Sequence, residues 1–203
     1  SRYHVGKLLE DHAIMKHDGS IHSGFEIVTC PATIDIHLET FERFFNDFGS
    51  LKICGKPNTG MHVHVSRAPL NIFTIGKMTE FVNKPENATF LKEIAGRTPN
   101  TYCSMEPART VTYPHKVGRY SERYNMLNLR PEHTVEFRMF NSPETFDIFA
   151  ARLQFVQALV DYSKPCQHSL PLKEITKHES FINWLKLNRK QYNYLSNFLK
   201  GTI

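Results

Sequence analysis

The sequence predicts an α+β fold in which short antiparallel strand pairs alternate with amphipathic helices. Polar and apolar side chains alternate along residues 60–66 and 134–140, as they do on strands. Apolar side chains recur at helical spacing over 33–48 and 143–162. With 203 residues and 40% hydrophobic content, the chain is long enough for one compact domain with a well-filled core. We therefore expect a single domain over 1–203.

Turn residues separate the strands of each expected pair. Asp18, Gly19 and Ser20 form the first turn, residues 55–60 the second and residues 130–133 the third. The predicted strands lie within 12–29, at 52–54, at 60–66, at 124–129 and at 134–140.

Stop and start signals delimit the expected helices. Gly49 and Gly96 follow two of them, and the longest has Pro143 in its first turn with Ser142 as the candidate N-cap. The C-terminal helices of 143–203 are expected to belong to the same domain. The predicted helices cover 33–48, 70–82, 88–94, 143–162, 178–187 and 189–199.

Composition narrows the classes of function. No run approaches the twenty apolar residues of a membrane helix, and the first four residues lack a signal-peptide core, so a cytoplasmic protein without a membrane partner is expected. The chain begins at Ser1 without methionine, which indicates a processed, trimmed or partial product. The formal charge of +5 favours anionic ligands, and nucleotide phosphates satisfy it as well as nucleic acid does. Four scattered cysteines without CxxC spacing favour free buried thiols over a zinc cluster or disulfide framework: Cys30, Cys54, Cys103 and Cys166.

Regular patterning stops between residues 97 and 124. Prolines and glycine interrupt this segment, and several arginines make it basic. Long irregular loops of this kind are commonly functional. We interpret the segment as a cover over a functional site.

Two strands carry polar faces. His62, His64 and Ser66 share one side of the first, and Glu136 and Arg138 share one side of the other. Such strand faces are either exposed to solvent or line a polar cavity. A cavity with imidazole, hydroxyl, carboxylate and guanidinium groups suits metal and phosphate.

These motifs occur in a characteristic order along the chain: Asp18-Gly19-Ser20, Gly24 to Val28, Gly60 to Ser66, Arg123-Tyr124 with Leu127-Asn128, and Glu136-Phe137-Arg138. The order and spacing resemble those of the phage and bacterial amidoligases, within the glutamine synthetase and γ-glutamylcysteine ligase superfamily of carboxylate–amine ligases. The resemblance spans about Lys16 to Phe140.

The resemblance implies a fold and an activity. The fold is an antiparallel sheet curved into a glutamine-synthetase-like half-barrel, with ATP and divalent metal on the concave face and helices on the convex face. The activity is ATP- and Mg²⁺-dependent amide formation between a carboxylate and an amine through an acyl phosphate. Peptide and small-molecule substrates both stay open, as does the oligomeric state. A bacterial or phage-infected cell is the expected setting.

The resemblance also implies roles for individual residues. The metal, Mg²⁺ or Mn²⁺, would be held by Glu26, His62 and Glu136, with Asp18 as a fourth ligand. Arg138 and Arg123 would stabilise the transferred phosphoryl group, and Arg138 alternatively holds the substrate carboxylate. Nucleotide or phosphate contacts would come from His64, Ser66, Arg119 and Arg123.

One departure from the family keeps other functions open. Family members usually open with a strand carrying Glu-x-Glu, whereas only Glu10 and Asp11 are acidic before Asp18. The alternatives are a non-catalytic phage structural or nucleic-acid-associated protein on the same scaffold, and a phosphotransferase resembling the guanidino kinases. Glu136 and Arg138 alternatively form a cross-strand salt-bridge lattice on a solvated sheet face.

Overall fold

A computed structural model of the chain describes residues 2–9, 11–17, 25–48, 59–101, 103–105, 123–164 and 171–201. It confirms the α+β class. The elements are, in chain order, α1 (Arg2–Leu8), β1 (Ala13–Lys16), β2 (Glu26–Thr29), α2 (Ile34–Phe48), β3 (Gly60–Ser66), α3 (Ile72–Asn83), a 3-10 turn (Pro85–Asn87), α4 (Ala88–Ala95), β4 (Leu127–Asn128), β5 (Thr134–Asn141), α5 (Phe146–Ser163), α6 (Leu172–Ile175), α7 (His178–Leu187) and α8 (Asn193–Phe198).

The described strands form two small antiparallel sheets. One contains β1 and β2, and the other has the order β3-β5-β4. Both predicted hairpins that fall on described strands are therefore confirmed. Within the described ranges the two sheets are separate and do not display the continuous half-barrel that the family resemblance implies. The strand predicted at 52–54 lies outside these ranges.

Strand β5 contains a β-bulge next to the polar face. Met61 pairs with Phe140 and Val63 pairs with Phe137, so two residues of β5, Arg138 and Met139, stand opposite the single residue between Met61 and Val63. The extra residue changes the alternation of β5. As a result, Met139 and Phe140 are adjacent in sequence and both fully buried.

All six predicted helices are present, and all but the one at 178–187 have shifted ends. Helix α3 begins at Ile72, because the Asn71 side chain caps it by accepting from the Thr74 amide at 2.9 Å. The prediction of Ser142 as the N-cap of α5 is wrong. The Ser142 amide donates to the Thr59 carbonyl at 3.3 Å and so continues the sheet, and Thr145 caps the helix instead. None of the described helices is long and apolar enough to cross a membrane.

Some features differ from the sequence-based expectations. Helices α1 and α6 were not predicted, and β4 is shorter than 124–129. Cys103 is a buried free thiol, as expected, whereas the free thiol of Cys30 is exposed. Most of the predicted cover loop falls outside the described residues.

The described part of the core consists of two clusters that meet at α5. The larger packs the inner face of the β3-β5-β4 sheet against the helices and includes Phe137, Phe140 and Phe155. The smaller contains Phe41, Phe44 and Phe45 of α2 with Phe149 of α5, and the rings of Phe41 and Phe149 lie 4.5 Å apart. The described helices pack on the inner face of the larger sheet, and the polar side chains of β3 lie on its other face.

Candidate functional site

The outer face of β3 carries the predicted polar side chains. His62, His64 and Ser66 are exposed, while the residues between them are partly buried and pack on the core. Glu136 of β5 lies opposite His64 in the register, and Asn128 of β4 lies opposite Glu136. Three adjacent strands therefore bring their polar groups to one place.

The carboxylate of Glu136 is the centre of this group. Glu136 as a whole is only 5% exposed. Oε1 accepts from Nη1 of Arg138 at 2.7 Å and lies 3.2 Å from Nδ1 of His62. Oε2 accepts from Nδ2 of Asn128 at 2.6 Å. Both carboxylate oxygens are thus held by donors from three different strands.

These contacts keep Glu136 ionised. Burial of the carboxyl acts to raise its pKa, but the hydrogen bonds from His62 and Asn128 and the charge of Arg138 outweigh burial and lower the pKa to about 2. A carboxylate with this pKa stays negatively charged at neutral pH. It therefore provides a fixed charge that holds the guanidinium of Arg138 in place.

The two arginines expected to act in catalysis meet at one aromatic ring. The Cζ atoms of Arg138 and Arg123 each lie 5.8 Å from the centroid of Tyr124, within cation–π range. Arg138 is nearly buried, with 13% of its side chain exposed, whereas Arg123 is exposed. In the described part of the chain, Nε of Arg138 is buried and makes no hydrogen bond.

His64 forms the open edge of the site. Its Nδ1 lies 3.0 Å from Oγ1 of Thr134, and its Nε2 lies 3.7 Å from Oε1 of Glu136, which is beyond hydrogen-bonding distance. Half of the imidazole is exposed. Ser66 pairs with Thr134 in the strand register, one side-chain step further along the same face. His64 and Ser66 thus border the buried pair where a ligand can reach them.

The expected metal ligands are only partly brought together. His62 and Glu136 are adjacent, but Glu26 begins β2 in the other sheet, paired with Lys16 and exposed. Asp18 and the phosphate-contact candidate Arg119 lie outside the described residues. Among residues that the structure describes, no three His, Cys, Asp or Glu side chains form a group able to hold a metal ion. Those donors do not by themselves fit a metal centre, and the four-ligand set stays a prediction.

Three residues around Glu136 and Arg138 were given no role from the sequence. Asn128 and Tyr124 belong to recognised motifs, and the turn at 130–133 places β4 beside β5, which is a signal for the Asn128–Glu136 contact. Arg97 donates from Nε to the Met139 carbonyl at 3.1 Å and from Nη2 to the Arg138 carbonyl. No local sequence pattern indicates that contact, because it depends on the bulge.

Comparison of the chain with family models, with curated proteins and with solved structures found no match. The resemblance to the amidoligases therefore rests on the five sequence motifs alone.

Proposed function

We propose that this chain is an amidoligase-type domain, which joins a carboxylate to an amine at the expense of ATP. The observation that carries the proposal is the ionised, buried Glu136, which holds Arg138 in place beside two histidines on a partly open sheet face. Nucleotide and carboxylate substrates are anionic, and a preorganised guanidinium is the group that recognises such anions best.

The reaction has two steps with defined leaving groups. The γ-phosphoryl group of ATP passes to an oxygen of the substrate carboxylate, and ADP leaves. The amine then attacks the carbonyl carbon of the acyl phosphate, and inorganic phosphate leaves. Negative charge accumulates on the phosphoryl oxygens in the first step, and cations already fixed in place stabilise it without reorganising.

The described residues supply specific parts of this chemistry. Arg138 would bind the transferred phosphoryl group or the acceptor carboxylate, and Arg123, on the same tyrosine ring, would add a second positive charge. His64 and Ser66 would hydrogen-bond phosphate oxygens from the exposed edge. A half-barrel, with the two described sheets as its segments, and a bound Mg²⁺ or Mn²⁺ belong to the same proposal. We assign no step to the metal, because the described donors form no site for it.

One observation favours a second candidate, a non-catalytic protein on the same scaffold. Both oxygens of Glu136 are already engaged by Arg138, His62 and Asn128. A carboxylate whose two oxygens are both engaged can also have a purely structural role, in which it links the three strands.

Trapping the acyl phosphate tests the ligase directly. The protein is incubated with ATP, Mg²⁺ and hydroxylamine in the presence of pools of amino acids, peptides and other carboxylates, and ADP and hydroxamate are measured. Hydroxylamine replaces the unknown amine, because it attacks any acyl phosphate. The proposal expects equal amounts of ADP and hydroxamate with at least one pool.

Two variants serve as comparisons in this assay. Arg138→Lys should reduce hydroxamate formation at least about tenfold, because a lysine ammonium cannot replace the two parallel N–H donors of the guanidinium. Arg67→Lys changes an arginine that donates to the carbonyl of Leu129, the residue after β4, and should leave the rate near that of the wild type. ADP without hydroxamate would contradict the ligase and favour phosphoryl transfer to another acceptor. Neither product with any pool would favour the non-catalytic protein.

A further inference from the structure

One side chain binds the two neighbouring backbone carbonyls at the bulge in β5. They belong to Arg138 and Met139, the two residues opposite a single residue of β3. Arg97 satisfies both of them, because its Nε donates to the Met139 carbonyl at 3.1 Å and its Nη2 donates to the Arg138 carbonyl. A guanidinium suits this task since its donors lie in one plane at fixed spacing.

Two glycines border Arg97: Gly96 precedes it in the chain, and Gly60 lies beside its guanidinium on β3. Gly96 ends α4 in the left-handed conformation with φ of 70°, which favours glycine, and its carbonyl accepts from Nδ2 of Asn141 at 3.1 Å. On β3, a Cβ added to Gly60 would lie 3.4 Å from Nη1 of Arg97. The absence of a side chain at Gly60 therefore leaves room for the guanidinium.

With Arg97 in place, both backbone polar groups of Arg138 are hydrogen-bonded. The Arg138 amide donates to the Met126 carbonyl at 2.8 Å, and the Arg138 carbonyl accepts from Arg97. The bulge lets Met139 and Phe140 both enter the core while the side chain of Arg138 stays on the outer face with Glu136. A regular strand would turn one of those two apolar residues outward.

We propose that Arg97 is a positioning residue, which holds the β5 bulge and thereby fixes the guanidinium of Arg138 against Glu136. The inference deepens the proposed function, since Arg138 is the residue proposed there to bind the anionic substrate group. Its test does not depend on that function, because it measures the order of the Arg138 side chain in the protein without ligands.

The experiment compares the arginine side-chain signals of ¹⁵N-labelled proteins at neutral pH, with the Arg138 signals assigned by their loss in Arg138→Lys. Arg97→Gln removes the guanidinium with its parallel donors. If Arg97→Gln does not fold, Arg97→Lys is used instead, because it keeps the positive charge but lacks the guanidinium. The matched control is Arg67→Gln, which also removes an arginine that donates to a backbone carbonyl, that of Leu129 directly after β4. Thermal unfolding establishes that each variant is folded.

We expect separate, slowly exchanging Nη signals for Arg138 in the wild type and in Arg67→Gln. In the Arg97 variants these signals should broaden or merge as the guanidinium begins to rotate. Folded Arg97 variants with unchanged Arg138 signals would overturn the inference, and so would an equal change in Arg67→Gln.

This outcome is distinguishable from a failure of the proposed function. If the Arg138 signals change as expected but the hydroxamate assay is negative, the ligase proposal fails and the positioning role of Arg97 is retained.

Discussion

Nη1 of Arg138 lies 2.7 Å from Oε1 of Glu136, and the two side chains are only 13% and 6% exposed. The two residues belong to the same strand, two positions apart, so the pair runs along β5. It is therefore neither across strands nor solvated, unlike the salt-bridge lattice that the sequence left open. Bringing two opposite charges out of water is costly unless further hydrogen bonds satisfy them. Here Asn128 and His62 supply those bonds to Glu136, whereas Nε of Arg138 is buried and makes no hydrogen bond within the described residues.

A double-mutant cycle should detect strong coupling within this pair. Glu136→Gln leaves the charge of Arg138 without its partner, and Arg138→Met does the same to Glu136, so each single change should lower the free energy of unfolding by about 3 kcal/mol. The double variant should lose about 2 kcal/mol less than the sum of the two single changes. Urea unfolding at pH 7 measures all four proteins. Additive losses would mean that the pair contributes no interaction energy.

The stability contribution of Glu136 should depend on pH in a defined direction. Its folded pKa of about 2 lies below the ordinary value of 4.5, so the contribution is fully present above pH 4.5 and is lost as the pH falls toward 2. The difference in unfolding free energy between the wild type and Glu136→Gln should therefore shrink by up to about 3 kcal/mol over that range.

Urea unfolding at a series of pH values measures this difference. Glu132→Gln changes an exposed glutamate of the same hairpin, and is the control for a single Glu→Gln substitution. A difference for Glu136→Gln that stays constant from pH 7 to the acid limit of folding would contradict the low pKa of Glu136.

Two glycines should respond in opposite ways to replacement by alanine. Gly96 has φ of 70°, and a Cβ there would lie 2.7 Å from Oδ1 of Asn141 and collide with the guanidinium of Arg152. Gly96→Ala should lower the free energy of unfolding by about 2 kcal/mol or more. Gly76 lies within α3, and apart from the adjacent backbone of that helix no atom lies within 4 Å of an added Cβ. Gly76→Ala should therefore raise the free energy of unfolding by about 0.5–1 kcal/mol.

Thermal or urea unfolding of the two variants checks this pair of predictions. Equal effects of the same sign would mean that the turn before Arg97 does not need its left-handed residue.

The sequence predicted those parts of the site that depend on local patterns. The exposed face of β3 follows from strict alternation, and the turn at 130–133 correctly indicates the β4–β5 hairpin. The contacts of Asn128 depend on the register across strands, which alternation alone does not specify.

Other features depend on the tertiary structure and had no local signal. A bulge has no sequence signature, so the role of Arg97 emerged only from the register of β3 and β5. Ser142 has the chemistry of an N-cap, but its amide is bonded to Thr59 and Thr145 takes that place. Glu26 was grouped with His62 by the order of motifs, whereas the structure places it on the other sheet.

Nucleotide binding tests most directly the central claim that this sheet face is an ATP site. The chain is titrated calorimetrically with a non-hydrolysable ATP analogue, with and without Mg²⁺, beside Glu136→Gln and the surface control Glu132→Gln. We expect binding that requires Mg²⁺, is retained in Glu132→Gln and is lost or strongly weakened in Glu136→Gln. No binding by the wild type under either condition, or equal affinity in Glu136→Gln, would contradict a nucleotide site on this face.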